Sequence, residues 1–236
     1  VISGAGAAGR TVLIAGASSV SGRATAASLT AAGARVIAVG SNAGRLVDVA
    51  AHARFVCDLS DPVAVSDLAE RVHAEVGPID GLVHLVGGWR AGQDAEGWVW
   101  LERRLVTTLR NTTIAFRDDL LDSRAGRLAI VSSTAVDNPT WTNANYATAK
   151  AAAETWVGAV AASFARAARV GHPPGGRGNV TTIGRGIVTA AAITFVVRAL
   201  GRGEGNVPES TLANALTGMW DIPSPEINGA RVHINA

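Results

Sequence analysis

Residues 11–22 read Thr11-Val12-Leu13-Ile14-Ala15-Gly16-Ala17-Ser18-Ser19-Val20-Ser21-Gly22. Val12 to Ala15 is a short continuous apolar run of the kind that forms a buried strand. Gly16 to Gly22 is a turn of small residues, Arg23 to Ala32 has a helix pattern, and Gly33 is placed to cap its end. A strand, a Gly/Ser turn and a helix N-terminus in that order form an anion cradle. Backbone N–H groups and the positive end of the helix dipole face a pyrophosphate there. Just upstream, Gly4-Ala5-Gly6-Ala7-Ala8-Gly9 also spells GxGxxG, but a strand follows it instead of preceding it. Residues 1–10 are therefore expected to be a flexible leader.

Downstream the alternation continues. Strands are expected at Arg35 to Val39, Arg54 to Cys57, Gly81 to Val86, Arg127 to Val131, Val180 to Ile183 and Arg231 to Ile234. Helices are expected at Asn42 to Ala51, Pro62 to Val76, Trp98 to Leu121, Ala144 to Arg169, about 190 to 200, and Pro208 to Trp220. Seven strands, each apolar almost throughout and separated by helices, predict an α/β fold: a doubly wound parallel seven-stranded sheet with helices on both faces. No repeat or domain boundary interrupts it, so 1–236 is expected to be one dinucleotide-binding domain. The glycine/proline-rich stretch Gly171 to Gly178 reads as a loop inside it.

Composition bounds the partners. The formal charge is +2, and the arginines are scattered without a basic patch, so no nucleic acid is expected. The longest apolar run, Gly186 to Val197, is about 12 residues, short of the roughly 20 that span a bilayer, and reads as a buried helix. The N-terminus lacks a charged region followed by a long apolar one, so no signal peptide is expected. One cysteine, Cys57, cannot form an internal disulfide; this fits a reducing, cytoplasmic setting, and Cys57 reads as inert core. No metal site is expected.

The chemistry concentrates in Asn145-Tyr146-Ala147-Thr148-Ala149-Lys150. Tyr146 is the one tyrosine of the chain and Lys150 the one lysine; every other basic residue is arginine. The alanine-rich flank argues for a helix, on which i and i+4 share a face. An ammonium held near a phenol favours the phenolate, so Tyr146 is expected to have a lowered pKa and to serve as a proton donor or acceptor near neutral pH.

These features together resemble the short-chain dehydrogenase/reductase family, a Rossmann-like fold, from about Thr11 to Ile234. The Gly16–Gly22 turn is similar to TGxxxGxG, with Ala15 for the threonine and Val20 for the middle glycine. Asp58 matches the adenine-contacting acid after the third strand. His84-Leu85-Val86-Gly87 stands in place of NNAG, and Ser133 precedes Tyr146 by the family's spacing. Arg185-Gly186 sits where the family has Pro-Gly, with Thr189 just beyond. The chain after Lys150 has room for two strands and their helices only, which favours the short single-domain branch over the extended one.

The resemblance implies a catalytic set of Ser133, Tyr146 and Lys150. By register the fourth position falls at Thr107, with Asn111 one turn on, and the choice stays open. It implies cofactor contacts from Gly16, Ser18, Ser19, Val20, Ser21, Gly22, Ser41, Asp58, Leu59, Gly87, Tyr146, Lys150, Gly186, Ile187 and Thr189. Trp89 and Trp141 flank the implied site. The implied function is an NAD(P)-dependent oxidoreductase interconverting a ketone and a secondary alcohol, a ketoreductase. The alternative is a non-catalytic cofactor-sensing or partner-binding protein on the same fold. The alanine-dense helix from Ala144, with the resemblance, implies a homodimer or homotetramer. The second strand ends Val39-Gly40-Ser41-Asn42, with no carboxylate until Asp48. An acid at that strand end would repel a 2′-phosphate. Its absence, with Ser41 and Arg45 near, favours NADP(H) over NAD(H).

Overall fold

A computed structural model describes residues 4–170, 189–201 and 203–235. Strands β1 (Thr11–Ala15), β2 (Arg35–Gly40), β3 (Ala53–Val56), β4 (Gly81–His84), β5 (Arg127–Ser133), β6 (Ala191–Val197) and β7 (Arg231–His233) form one sheet. Its order is β3-β2-β1-β4-β5-β6-β7, and every neighbouring pair is parallel. The direction of strand succession reverses between β1 and β4, and the crevice at the carboxyl ends of such a pair is where open α/β sheets bind ligands.

Successive strand residues face opposite sides, and both sides are covered, which is why the strands are apolar runs without alternation. Leu13, Ile37, Leu82 and Leu128 lie in register across four strands. They join a core with Phe116 and Phe164, which come from α5 (Thr108–Asp122) and α6 (Ala144–Val170). Ile14, Ala38, Val83 and Ile193 point the other way, into a core with Leu29 and Leu216. These come from α1 (Val20–Ala31) and α7 (Glu209–Gly218). Local signals set the boundaries. Ser19 caps α1 by accepting from the Gly22 amide at 3.0 Å, and Gly33, at φ +84°, supplies the left-handed turn after it. Asp61 caps α3 (Pro62–Glu75), accepting from the Val63 amide at 2.8 Å.

Two expectations are corrected. Residues 191–197, expected to be helical, form β6, and all seven are buried. The run is continuous because β6 lies between β5 and β7 under both helical layers; Ile193, Phe195, Val196 and Val197 are β-formers, and that composition marks the strand. The strand expected at Val180 to Ile183 lies outside the described residues. Within the expected leader, Gly4 and Gly6 donate their amides to the Asp221 carboxylate at 2.6 and 2.8 Å. Ala7 is fully buried. That stretch is pinned to the chain after α7, with the Gly9 amide on the Gly33 carbonyl at 2.9 Å.

Candidate active site

A cleft of about 830 Å³ opens over the carboxyl ends of β1, β2, β4, β5 and β6, within the usual range of ligand sites, about 300–1,000 Å³. Its floor begins at the Gly16 turn. Gly16 has φ +82°, and a Cβ there would lie 2.8 Å from the Leu85 backbone, so only glycine lets β1 turn against the end of β4. A Cβ on Gly22 would lie 2.5 Å from the Gly16 carbonyl; its absence lets α1 start directly on the turn. Ser19 is spent on local structure: its hydroxyl donates to the Gly16 carbonyl at 2.9 Å and accepts from the Gly22 amide. Ser18, Ser19 and Ser21 all line the cleft. The Val20 side chain is 69 % exposed and lies outside the lining, so the branched residue does not fill the cradle. First-turn amides have no acceptor within their own helix, which leaves those of Val20 and Ser21 for an anion.

Across the cleft, Ser133 ends β5, and Tyr146 and Lys150 stand on the first two turns of α6; all three line the same space. The Lys150 Nζ donates to the Val131 carbonyl at 2.7 Å. Burial pulls the Lys150 ammonium down to about 8, with Glu154 opposing. Tyr146 departs from its expected direction. Burial raises the phenol above its ordinary value, while a hydrogen bond with Ser133 pulls the other way. The ammonium lies 5.9 Å from the ring centroid but is turned to the Val131 carbonyl. The pair shares a helix face as the spacing requires, yet burial of the phenol sets the direction of its shift.

One wall of the cleft is built by β2, β3 and the residues after them. Ser41, Arg45, Asp58 and Leu59 line it. Asp58 is held on both oxygens: Oδ1 accepts from the Ser60 amide and hydroxyl at 3.0 and 2.6 Å, and Oδ2 accepts from Arg103 at 2.9 Å. The Ser60 bonds, then Arg103, hold its carboxyl below the usual range. Cys57 also reaches the lining, but burial pushes its thiol up to about 11, so it is no thiolate nucleophile at neutral pH.

Several expected positions fall elsewhere. Thr189 precedes β6 and thus lies at the opposite end of the sheet. Its carbonyl accepts from Arg127 at 2.9 Å and its hydroxyl donates to the Arg124 carbonyl. The residues after β6 that do line the cleft are Arg198, Ala199 and Leu200. Gly186 and Ile187 lie outside the described residues. Neither candidate for the fourth position reaches the cleft. Thr107 donates to Glu102 at 2.5 Å, and buried Asn111 donates to the Leu59 carbonyl at 3.1 Å. Thr108 reaches it instead, with its hydroxyl 3.1 Å from His84 Nε2. His84 is buried, and burial, then the Lys150 charge, drive its imidazole down to about 3, so it is neutral. Gly87 and Trp89 line the cleft; Trp141, 73 % exposed, does not.

Sequence reasoning missed Trp100, Arg103 and Arg104. They belong to one continuous helical stretch made of α4 (Ala95–Glu102), a π-helical turn at Arg103–Thr107, and α5. Wide turns of this kind re-aim side chains and occur often at functional sites. The one available signal was the Arg-Arg pair, Arg103-Arg104, following the Trp98-Val99-Trp100-Leu101 run.

Comparison with known proteins agrees with this fold. A model of the short chain dehydrogenase family matches residues 10–171. The chain is 32 % identical over 157 residues to the 2,3-dihydro-2,3-dihydroxybenzoate dehydrogenase of Bacillus subtilis (strain 168), covering 61 % of this chain and 60 % of that one. It is 30 % identical over 153 residues to the 3-oxoacyl-acyl-carrier-protein reductase of Escherichia coli (strain K12), covering 61 % and 62 %. The matched region thus spans about 60 % of those relatives' length. Among solved structures, an NADPH-bound short chain oxidoreductase from Pseudomonas aeruginosa PAO1, described as containing an atypical catalytic center, superposes with a TM-score of 0.76 at 19 % identity. It covers 95 % of each chain. A short-chain type dehydrogenase/reductase from Mycobacterium ulcerans gives 0.76 at 18 % identity, covering 96 % of this chain and 88 % of that one. With the family model covering more than half of the chain and the sheet, turn and Tyr146–Lys150 helix arranged as described, the protein belongs to the short-chain dehydrogenase/reductase family.

Proposed function

We propose that the protein is an NAD(P)-dependent oxidoreductase that interconverts a ketone and a secondary alcohol, working as a ketoreductase with NADPH. The observation that carries this reading is the convergence of Ser133, Tyr146 and Lys150 on the cleft into which the α1 N-terminus opens. The residues present fit a dinucleotide. The lining also sets Lys150, Arg45, Arg103 and Arg198 against the Asp58 carboxylate, which suits a ligand rich in phosphate. A bound nicotinamide would supply the hydride.

The protein's own part is proton delivery and orientation. Tyr146, kept protonated by burial, gives its phenolic proton to the carbonyl oxygen as the carbonyl carbon takes up hydride. Ser133 donates a hydrogen bond to the same oxygen and stabilises its developing charge. Lys150 keeps a positive charge 5.9 Å from the Tyr146 ring centroid and would bond the nicotinamide ribose. Ser18, Ser21 and the first-turn amides of α1 would hold the diphosphate, and Ser41 with Arg45 the 2′-phosphate. Consumption of NADPH absorbance by the purified protein with a panel of ketones tests the reading; a panel without turnover, at ketone concentrations up to millimolar, would sink it.

Assembly into a homodimer or homotetramer is part of the same proposal. On α6, Ala147, Ala149, Ala153 and Ala161 are used inside the subunit. Ala159 and Ala162 are exposed, and a Cβ on neighbouring Gly158 would meet nothing within 4 Å. That outer strip is flat enough for close approach of a second helix. A monomer by light scattering at micromolar concentration contradicts it.

A further inference from the structure

Two guanidiniums lie over one indole beside the cleft. Arg90 is 4.9 Å and Arg104 4.8 Å from the Trp100 ring centroid. Their electrostatic situations differ. Arg90 is neutralised by Glu96 at 3.0 Å. Arg104 has no carboxylate within ion-pair distance among the described residues; its Nε donates to the Gly87 carbonyl at 3.0 Å. Neighbouring Arg103 is committed to Asp58 and Ser60 at 2.9 and 2.7 Å.

The Arg104 head group is therefore fixed on one edge and one face. The loop presses on it: a Cβ on Gly88 would lie 2.3 Å from the Trp100 ring and 3.3 Å from Arg104 Nε. A guanidinium already stacked and anchored loses little freedom when it binds. Its two terminal amino groups remain, with the fork geometry that grips a carboxylate through two parallel bonds. The location ties this group to the chemistry. Trp100 and Tyr146 pack against the same small cluster of Leu101, Leu105 and Ala149, and Arg104, Trp100 and Tyr146 all line the cleft.

We propose that Arg104, held on Trp100 and the Gly87 carbonyl, is a specificity-determining residue that binds a carboxylate on the substrate. The ketone or alcohol handled at Tyr146 is then a carboxylate-bearing one. This rests on the reading of Tyr146 as proton donor, but its test does not require turnover. The rival source of an anion is the dinucleotide, whose phosphates Arg104 would otherwise hold.

The test uses the full chain with Tyr146→Phe, saturated with NADPH, so that binding is at equilibrium. Acetophenone and 4-acetylbenzoate form a matched pair that differs by one carboxylate, and tryptophan fluorescence reads their binding. The expected result is tighter binding of 4-acetylbenzoate, with that preference falling at least about tenfold in Arg104→Gln and recovering in part in Arg104→Lys. NADPH titrations of the same variants keep Kd within about twofold, on a scale where tenfold is about 1.4 kcal/mol. Absence of a carboxylate preference, a preference untouched by Arg104→Gln, or a loss confined to NADPH affinity overturns the proposal. Wild-type protein that binds 4-acetylbenzoate through Arg104 yet reduces neither ketone would instead remove the catalytic reading and leave this one standing.

Discussion

The Lys150 ammonium donates to the Val131 carbonyl at 2.7 Å and stands 5.9 Å from the Tyr146 ring centroid. Its charge is thus committed to the end of β5, two residues before Ser133. Burial lowers its pKa from 10.5 to about 8. Between those values the folded protein has lost a proton that the unfolded chain still holds, so stability rises with pH across that window. Below about pH 8 both states are protonated and the full cost of burying the charge applies, on the order of 3 kcal/mol. Lys150→Met removes the titration. Urea unfolding of the cofactor-free proteins is expected to show wild type gaining about 2 kcal/mol relative to Lys150→Met between pH 7 and 9.5. A constant difference across that range would mean the lysine is not desolvated.

Tyr146 is expected to be neutral at pH 7, because burial raises its pKa, and this is the form a proton donor needs. Tyr146→Phe should fold and bind NADPH as wild type does while turnover falls at least about a hundredfold, the lower end for a positioned acid. Ser133→Ala should lose less, since it removes one hydrogen bond to the developing oxyanion and leaves the donor in place. Steady-state kinetics on any ketone that the wild type reduces would check both, and a Phe variant at wild-type rate would remove Tyr146 from the mechanism.

The sequence made most of this arrangement legible where a residue's role is local. The Gly16–Gly22 turn was readable because the two glycines are demanded by backbone contact, and the Tyr146–Lys150 spacing because a helix fixes which residues share a face. The sixth strand was misread for the opposite reason. A strand buried on both sides and a buried helix present the same unbroken apolar run, and Ala190, Ala191 and Ala192 weighted the helical choice. That error moved the expected nicotinamide contact to Thr189, at the wrong end of β6. The direction of the Tyr146 shift was also beyond the sequence, since it depends on how deeply the phenol is buried. Arg103 and Arg104 escaped notice because they stand in a π-helical turn, which has no simple sequence signature, and Trp100 because it lies in the α-helical turn just before it.

Arg127 is 3 % exposed and pairs with no carboxylate among the described residues. It donates instead to the carbonyls of Met219, Ile222 and Thr189 at 3.2, 3.0 and 2.9 Å and to the Ser224 hydroxyl at 2.7 Å. It therefore joins the start of β5 to the residues after α7, and burial draws its pKa down to about 10. Arg127→Leu leaves several buried acceptors without donors, each costing about 1–3 kcal/mol. Urea unfolding should show a loss of at least about 3 kcal/mol. A change below about 1 kcal/mol would mean that water replaces the guanidinium without loss.

The end of β2 offers the sharpest test of cofactor choice. Gly40 lines the cleft beside Ser41 and Arg45, so neither an acid nor a side chain of any kind stands at the strand end. A carboxylate there would accept from a ribose 2′-hydroxyl and repel a 2′-phosphate. The space permits one: a Cβ on Gly40 would lie 3.3 Å from Leu46 Cδ2 and 3.5 Å from Ser18 Oγ. The closest neighbour is the flexible end of a leucine, and the Gly40 φ is not in the left-handed region, so Gly40→Asp should fold. It should also weaken NADPH and strengthen NADH binding, moving the ratio of their dissociation constants by at least about tenfold, or 1.4 kcal/mol. Arg45→Gln should weaken NADPH alone, because it removes a cation near the 2′-position and leaves the diphosphate cradle of α1 intact. Fluorescence titration with both cofactors measures each ratio. Wild-type protein that binds NADH tenfold more tightly than NADPH, or a Gly40→Asp variant with an unchanged ratio, would show that discrimination lies elsewhere than the end of β2.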